Sequence, residues 1–223
     1  MLKLIIVQAL VGFCLATYHN VDRIQQNYDE KINSKIVQQI QYELKASYLY
    51  QAYSHYFGRA DVALPGFAKW FEKASLEERK HATGLIDYVN KRGGQVSFSS
   101  LDYSSMCSEL DKELSRNWNS FGRNEACICT FMSMKQSSCS DRGSWKNGLY
   151  AMQDTLALER FVNKNLLDLH TSAGEYNDVH LAHVLEHEYL DEQVEAIKSI
   201  GDFVRQLERV GDGLGEYLFD KDL

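Results

Sequence analysis

Apolar residues recur at every third or fourth position along four long stretches of the chain, which places them on one face of an α-helix. The spacing predicts long helices over residues 34–57, 65–92, 145–170 and 178–210, and a shorter one over residues 214–223. Ser34 is a suitable N-cap for the first helix, and Gly58 is a suitable end. The second helix should begin at Pro65, because proline is favoured in a first helical turn.

The connections between these stretches predict the arrangement of the helices. Short loops join the first helix to the second and the third to the fourth, so each pair should be antiparallel neighbours. Residues 93–144 separate the second helix from the third, which is enough chain to cross a bundle, and residues 108–118 have a helical pattern of their own. The sequence therefore predicts an all-α four-helix bundle with a long crossover between helices two and three and a short fifth helix.

Composition agrees with a helical globular protein and argues against several other classes. Apolar residues make up 44% of the chain and charged residues 25%, which is ordinary for a folded domain. The single proline disfavours an all-β fold with many turns. The net charge of −7 argues against a protein that binds nucleic acid through its phosphates. Beyond the N-terminus, no apolar run of about 20 residues predicts a membrane span.

The N-terminus has the pattern of a secretory signal peptide. Lys3 supplies a positive charge, residues 4–16 are apolar apart from Gln8, and the run ends at the small residue Ala16. We therefore predict a signal peptide over residues 1–16 and a mature domain that follows it. The alternative is an N-terminal anchor, although the apolar run is short for crossing a bilayer.

Four cysteines fall within one polar stretch, Cys107, Cys127, Cys129 and Cys139. An even number of cysteines in a secreted chain suggests disulfides, and four cysteines allow three pairings. A zinc site is the alternative interpretation. The Cys-x-Cys spacing of the middle two lacks the two-residue gap that is usual in zinc knuckles.

Each predicted long helix carries a potential metal ligand inside its apolar stripe. Glu43, Glu78 and Glu159 occupy such positions, His81 lies one turn after Glu78, and the fourth helix offers Gln193. Carboxylates that share a core repel one another unless they take up protons or cations neutralise them. An oxygen-rich set with one imidazole suits iron, manganese or zinc better than copper(I). The alternative is that each polar residue is a separate, satisfied core group.

Several stretches of the sequence resemble ferritin, and the resemblance covers most of residues 32–223. The most specific stretches are YELKASYLY at 42–50, DVAL at 61–64, EERKHA at 77–82, LER at 158–160, YLDEQV at 189–194 and GEYLFDK at 215–221. Di-iron bundles often carry two Glu-x-x-His motifs, one on each of two helices. This chain has only one in the expected place, at residues 78–81, and is in this respect similar to the heavy-chain, ferroxidase type of ferritin.

The resemblance implies a dinuclear ferroxidase centre. The residues that match its ligands and close neighbours are Glu43, Glu78, His81, Glu159, Gln193 and Tyr50. Glu43, Glu78 and His81 would form a first, tighter iron site. Glu78 would bridge to a second iron, which Glu159 completes.

A ferritin of this type would oxidise Fe(II) with O₂ and store ferric mineral inside a hollow 24-subunit cage. Iron would be the substrate and the stored cargo, and the shell would be a homopolymer or a mixture with a light-type subunit. One alternative is a non-catalytic secreted iron carrier or yolk storage shell. Another is a di-iron oxygenase that acts on an organic substrate, which would need a permanently bound pair of metal ions.

Two groups of residues depart from the heavy-chain pattern. On the inner surface of the cage, Glu77 is kept, but Lys80 and Thr83 occupy positions where heavy chains usually carry carboxylates. At the three-fold pore, Glu186 matches an acidic ring, and His183 stands where a second acid is expected. We therefore expect weaker mineral nucleation and a pore that binds transition metals or responds to pH. The alternative for the histidine is an ordinary solvent-facing position.

The signal peptide and an insertion over about residues 98–142 look like those of the secreted, yolk-type ferritins of invertebrates. The resemblance implies a ferritin-like di-iron domain over residues 17–223 and an insertion on the outer surface. A tolerated surface elaboration held by two disulfides is one interpretation of the insertion, and receptor docking or cage stabilisation is another. The expected location is extracellular or, after uptake, a yolk or endocytic compartment.

Overall fold

The computed structural model describes residues 24–118, 126–129 and 147–223. The α-helices are α1 (Glu30–Phe57), α2 (Pro65–Lys91), α3 (Ser104–Trp118), α4 (Gly148–Glu175), α5 (Val179–Leu185), α6 (Asp191–Val210) and α7 (Leu214–Asp222). A π-helical segment, Glu186–Leu190, joins α5 to α6, so residues 179–210 form one rod. No β-strand occurs in the described ranges, which agrees with the all-α prediction. Within them, no helix is long and apolar enough to cross a membrane.

α1 begins earlier than the apolar pattern predicts. The Asp29 carboxylate caps the helix by accepting a hydrogen bond from the Lys31 backbone N–H at 2.7 Å. Ser34 lies inside the helix, where its hydroxyl donates to the Glu30 carbonyl at 3.0 Å. The prediction of Ser34 as N-cap is therefore wrong. Aspartate and serine are both good caps, and the apolar spacing does not distinguish between them.

α4 is displaced towards the C-terminus relative to its predicted range. The Asn147 side chain caps it by accepting from the Tyr150 backbone N–H at 3.0 Å, and the helix continues to Glu175. The boundaries at Gly58 and Pro65 are as predicted. The capping side chains therefore locate these helix ends more precisely than the spacing of apolar residues does.

Four rods, namely α1, α2, α4 and the combined α5–α6 rod, pack around one core. Contacts that join neighbouring rods are Ser47–Ser75 for α1 and α2, Tyr53–Asp154 for α1 and α4, Trp70–Phe203 for α2 and α6, and Glu159–Gln193 for α4 and α6. Asn33 at the start of α1 bonds to Gln95 just after α2, so these two helices are antiparallel. Each rod thus contacts two others, which is the predicted four-helix bundle.

The connection from α2 to α4 crosses the bundle from one end to the other. Arg92, at the end of α2, forms an ion pair of 2.9 Å with Asp178 at the start of α5. Asn147, at the start of α4, bonds at 2.8 Å to Asp212, which follows α6. Because Asp178 and Asp212 lie at opposite ends of the same rod, the long crossover is confirmed.

The described part of the insertion contributes to the core and is more than a surface loop. Met106, Leu110 and Leu114 of α3 have no exposed surface, and neither has Ile128. The Ile128 backbone N–H donates at 2.9 Å to Asp154, a buried aspartate of α4. The insertion therefore packs on the side of the bundle that α1 and α4 form, and its burial there should stabilise the fold.

Disulfides, rather than zinc, account for the described cysteines. Cys107 of α3 is bonded to Cys129 with an S–S distance of 2.02 Å. Cys127 is also disulfide-bonded. Cys139 and the predicted signal peptide lie outside the described residues.

The short fifth helix of the prediction is α7, which closes the end of the bundle where α2 and α4 begin. The buried Asp220 accepts from the Phe67 backbone N–H at 2.9 Å, and Glu216 accepts from the Gly148 N–H at 2.5 Å. Carboxylates stabilise the first turn of a helix, where N–H groups lack partners. Gly66 permits the close approach, because a Cβ there would collide with the Asp220 carbonyl.

Candidate metal centre

Four rods direct polar side chains to one place inside the bundle. α1 supplies Glu43, α2 supplies Glu78 and His81, α4 supplies Glu159, and α6 supplies Gln193. The exposed fraction is 1% for Glu43 and 4% for each of the other glutamates and the glutamine. We call these five residues the buried centre. The structure thus brings together the five residues that the helical spacing and the resemblance single out.

One half of the buried centre consists of two carboxylates and an imidazole. Potential ligand atoms of Glu43, Glu78 and His81 all lie within 4.8 Å of one another. His81 Nδ1 is 3.6 Å from Glu78 Oε2, a separation that one helical turn between the two residues permits. A cation between these three groups would be within reach of each of them.

The other half is built around Glu159. The Tyr50 hydroxyl donates to Glu159 Oε1, and Gln193 Nε2 donates to Glu159 Oε2 at 2.8 Å. Both partners are neutral, so neither hydrogen bond brings a compensating charge to Glu159. The tyrosine that the resemblance places nearby is therefore in direct contact with the centre.

Three buried oxygens of the centre have no hydrogen-bond partner among the described residues: Glu43 Oε2, Glu78 Oε2 and Gln193 Oε1. The other oxygen of Glu43 accepts from Gln39 Nε2 at 2.7 Å. In the described part of the chain, no lysine or arginine forms an ion pair with any of the three glutamates. Buried carboxylates in this condition are unfavourable unless they take up protons or cations.

The pKa values of the three glutamates are raised, as expected for buried carboxylates without cationic partners. Burial, together with the negative charge of Glu78, raises the pKa of Glu43 well above its usual range. Burial and the charge of Glu159 do the same to the pKa of Glu78. Burial also raises the pKa of Glu159, against the opposing effect of its two hydrogen bonds. Cations that bind here would therefore displace protons, and the oxygen-rich donor set suits iron.

The predicted inner-surface residues lie apart from the buried centre. Glu77 is near Lys73, with 3.4 Å between Glu77 Oε1 and Lys73 Nζ, and 46% of its side chain is exposed. Lys80 and Thr83 are exposed on the same helix. These three residues form a solvated face of mixed charge.

A second group of ligand-type side chains lies on the surface around the π-helical segment. We call His183, Glu186 and His187 the exposed cluster, and their potential ligand atoms also lie within 4.8 Å of one another. His170 Nε2 is 2.8 Å from Glu186 Oε1. The two predicted pore residues, His183 and Glu186, are therefore neighbours within the chain.

Two residues that contact the buried centre, Gln39 and Glu192, are not among the site residues predicted from the sequence. Gln39 is buried and lies one turn before Glu43, so the helical spacing could have identified it. Glu192 lies 3.1 Å from His81 Nε2, yet its side chain is 48% exposed. An exposed glutamate on a helix surface carries no distinguishing pattern, and only the packing of α6 against α2 reveals the contact.

A four-helix bundle with a long crossover and a carboxylate–imidazole centre in its core is the architecture of ferritin-like proteins. The family described as "Ferritin-like domain" matches residues 33–210, and this chain belongs to the ferritin family. Ferritins bind and store iron.

Similar proteins include two ferritins of the snail Lymnaea stagnalis. Its yolk ferritin is 46% identical over 200 residues, covering 87% of this chain and 84% of the relative. Its soma ferritin is 40% identical over 203 residues, covering 91% and 96%. Chloroplastic ferritin-4 of Arabidopsis thaliana is 38% identical over 207 residues, covering 93% and 68%. The family resemblance is thus shown over most of the chain.

Proposed function

We propose that the protein is a ferroxidase-type ferritin that oxidises Fe(II) with O₂ at the buried centre and deposits the ferric product inside a cage. The observation that carries the proposal is the meeting of three buried glutamates and an imidazole, with no lysine or arginine in the described part of the chain to neutralise them. Two Fe(II) ions would supply that charge. Iron is the substrate and the stored material.

Each residue has a distinct part in the proposed reaction. Glu43 and His81 hold the first iron, Glu78 lies between the two iron positions, and Glu159 holds the second with Gln193 beside it. Each of the two Fe(II) ions loses one electron, and one O₂ accepts both electrons and takes up two protons, which gives hydrogen peroxide. Carboxylates favour the more highly charged ferric product.

The asymmetry of the two halves supports turnover rather than permanent binding. The first half offers two carboxylates and an imidazole, whereas Glu159 shares its oxygens with the neutral donors Tyr50 and Gln193. The second iron would be held more weakly and could leave as product. A resident di-iron cofactor would be expected to have a stronger ligand than an amide at this position.

Mixing the metal-free protein with Fe(II) and O₂ tests the proposal. The wild type should oxidise iron much faster than buffer, and His81→Ala should lose the rapid phase while the assembly stays unchanged. His55→Ala, which removes an exposed histidine at the end of α1, is the matched control. Equal rates in wild type and His81→Ala would contradict the proposal.

The competing function is a non-catalytic secreted iron carrier or yolk storage shell. The similarity to a protein named yolk ferritin is compatible with this alternative. Under this alternative, wild type and His81→Ala would take up preformed ferric complexes equally well, and neither would accelerate oxidation. A di-iron oxygenase is distinguished by metal analysis, since it would retain two metal ions per chain after purification.

We also propose that the exposed cluster lines a cation passage in the assembled cage. His183 and Glu186 would bind transition metals on their way inside, and Glu77 would be a weak nucleation point beside Lys80 and Thr83. The shell would contain 24 subunits, alone or with a light-type subunit. Size measurement of the purified protein tests the assembly, and uptake kinetics of a His183→Ala variant test the passage.

The proposed location is outside the cell, with later uptake into yolk or another endocytic compartment. It depends on the predicted signal peptide over residues 1–16 and on the disulfides, which are typical of an oxidising compartment. Expression in cultured cells with and without these residues tests it. Export of the truncated chain would contradict the proposal.

A further inference from the structure

The two ring nitrogens of His81 face different carboxylates. Nδ1 points into the buried centre and is 3.6 Å from Glu78 Oε2. Nε2 points away from it and is 3.1 Å from Oε2 of Glu192, in the first turn of α6. The Tyr189 hydroxyl donates to the His81 carbonyl at 3.3 Å, and the two rings meet edge to face. The imidazole is therefore held in one orientation between two acids.

The acid at Nε2 decides where the imidazole carries its proton. A neutral imidazole has one N–H, and an ionised carboxylate can only accept a hydrogen bond. Glu192 therefore favours the tautomer with the proton on Nε2. That tautomer leaves the lone pair of Nδ1 directed at Glu43 and Glu78, where a cation would bind.

Without Glu192, the opposite tautomer would block two ligands at once. A proton on Nδ1 would face Glu78 Oε2 at 3.6 Å, an oxygen with no hydrogen-bond partner among the described residues, and a small shift of the ring would bring the two atoms within hydrogen-bond distance. The lone pair of His81 would then face away from the centre, and a Glu78 oxygen would be occupied. Iron would have to break this internal hydrogen bond and change the tautomer before it could bind.

We propose that Glu192 is a positioning residue that keeps His81 and Glu78 available for metal. The inference rests on the proposed function, because it assigns Glu192 a part in loading the same centre. Glu192 acts by accepting a hydrogen bond from His81. The experiment must distinguish this role from direct binding of the metal by Glu192, which would contradict the proposal.

Titration of the metal-free, full-length protein with Co²⁺ tests the proposal, because binding can then be measured without an accompanying oxidation of Fe(II). Visible absorption reports the binding of Co²⁺ with an imidazole ligand, and anomalous scattering locates the ion. Glu192→Ala should weaken Co²⁺ binding at the centre by about 10–100-fold. Glu192→Gln should retain most of the affinity, because its amide oxygen can still accept from Nε2.

Two controls separate positioning from charge and from misfolding. Glu195→Ala removes one negative charge from an exposed residue of the same helix and should bind Co²⁺ as the wild type does. In a His81→Ala background, Glu192→Ala should add no further loss. The unfolding midpoints of the metal-free variants should match the wild type, since Glu192 is half exposed.

The outcomes distinguish this inference from the proposed function. If Glu192→Gln loses as much affinity as Glu192→Ala, or if Glu192→Ala binds normally, the positioning role is overturned while the ferroxidase centre stands. An anomalous peak coordinated by Glu192 would also overturn it. If the wild type binds no Co²⁺ between Glu43, Glu78 and His81, the proposed function itself fails.

Discussion

The buried centre and the exposed cluster have similar ligands at similar spacing but opposite surroundings. In each, three groups that include histidine and glutamate place ligand atoms within 4.8 Å of one another. The buried centre lies among the core side chains of four rods, whereas all three residues of the exposed cluster face solvent. Proximity of ligands is therefore common to both, and burial is what differs.

Because they are buried, the closely spaced carboxylates of the buried centre should bind cations more strongly than the exposed cluster does. Water screens the charges of the exposed cluster, and groups of this kind are frequent on surfaces that bind nothing. In the buried centre, the carboxylates are almost completely shielded from solvent, the described residues offer them no lysine or arginine partner, and the pKa of both Glu43 and Glu78 is raised. The comparison predicts that metal removal and mutation will affect the two sites very differently.

The largest expected effect follows from Glu78→Gln, which removes the charge at the middle of the buried centre and keeps the side-chain shape. Rapid Fe(II) oxidation should fall by about 100-fold, because a neutral amide is a poor bridge between cations. The metal-free protein should become more stable above neutral pH by about 1–2 kcal/mol, because a buried like charge is gone. Stopped-flow absorbance and chemical unfolding measure the two effects.

The interpretation requires that Glu78→Gln lowers the oxidation rate and at the same time raises the stability of the metal-free protein. Glu186→Gln in the exposed cluster is the matched control for the removed charge. A Glu78→Gln protein that is less stable than wild type in the metal-free state would contradict the conclusion that burial of these carboxylates is unfavourable.

The second effect is stabilisation of the metal-free protein by Co²⁺. At a free concentration of 100 times its dissociation constant, a bound ion stabilises the folded state by about 2.7 kcal/mol. The gain should increase with pH, because Co²⁺ must displace protons from Glu43 and Glu78. Thermal unfolding with and without Co²⁺ measures it, and the His183→Ala variant should show the same gain. A gain that disappears in His183→Ala would assign the stabilising ion to the exposed cluster.

A smaller effect is the pH dependence of the metal-free protein. Glu43 and Glu78 have folded-state pKa values above the ordinary value of 4.5, so the folded state holds protons that the unfolded chain releases. Stability should therefore be greatest near or below pH 4.5 as far as these groups are concerned, and should fall as pH rises towards their folded pKa values. Unfolding curves at several pH values should show this decline in wild type and a shallower one in Glu43→Gln. The same pH dependence in wild type and in Glu43→Gln would contradict the assignment.

The spacing of apolar residues was enough to predict the helices and the buried side chains on their inner faces. Glu43, Glu78 and Gln193 stand inside apolar stripes, so the helix faces that meet could be identified from spacing. Spacing could not reveal Glu192, because an exposed position on α6 contacts His81 only through the angle at which the rods pack. It also could not show that Ile128 is buried, since that depends on where a disulfide-linked segment docks on α4.

The smallest effect is expected in the exposed cluster itself. Glu186→Gln removes a contact with His170 in which both side chains are partly or largely exposed, and surface changes of this kind alter unfolding free energy by about 0.5 kcal/mol or less. Zn²⁺ binding to the exposed cluster should nevertheless weaken in this variant, because the cluster loses a charged ligand. Unfolding and Zn²⁺ titration of the variant measure the two quantities. A loss of stability comparable to the effects at the buried centre would mean that Glu186 is part of a packed interface, so that burial on assembly, rather than exposure in the single chain, governs its energetics.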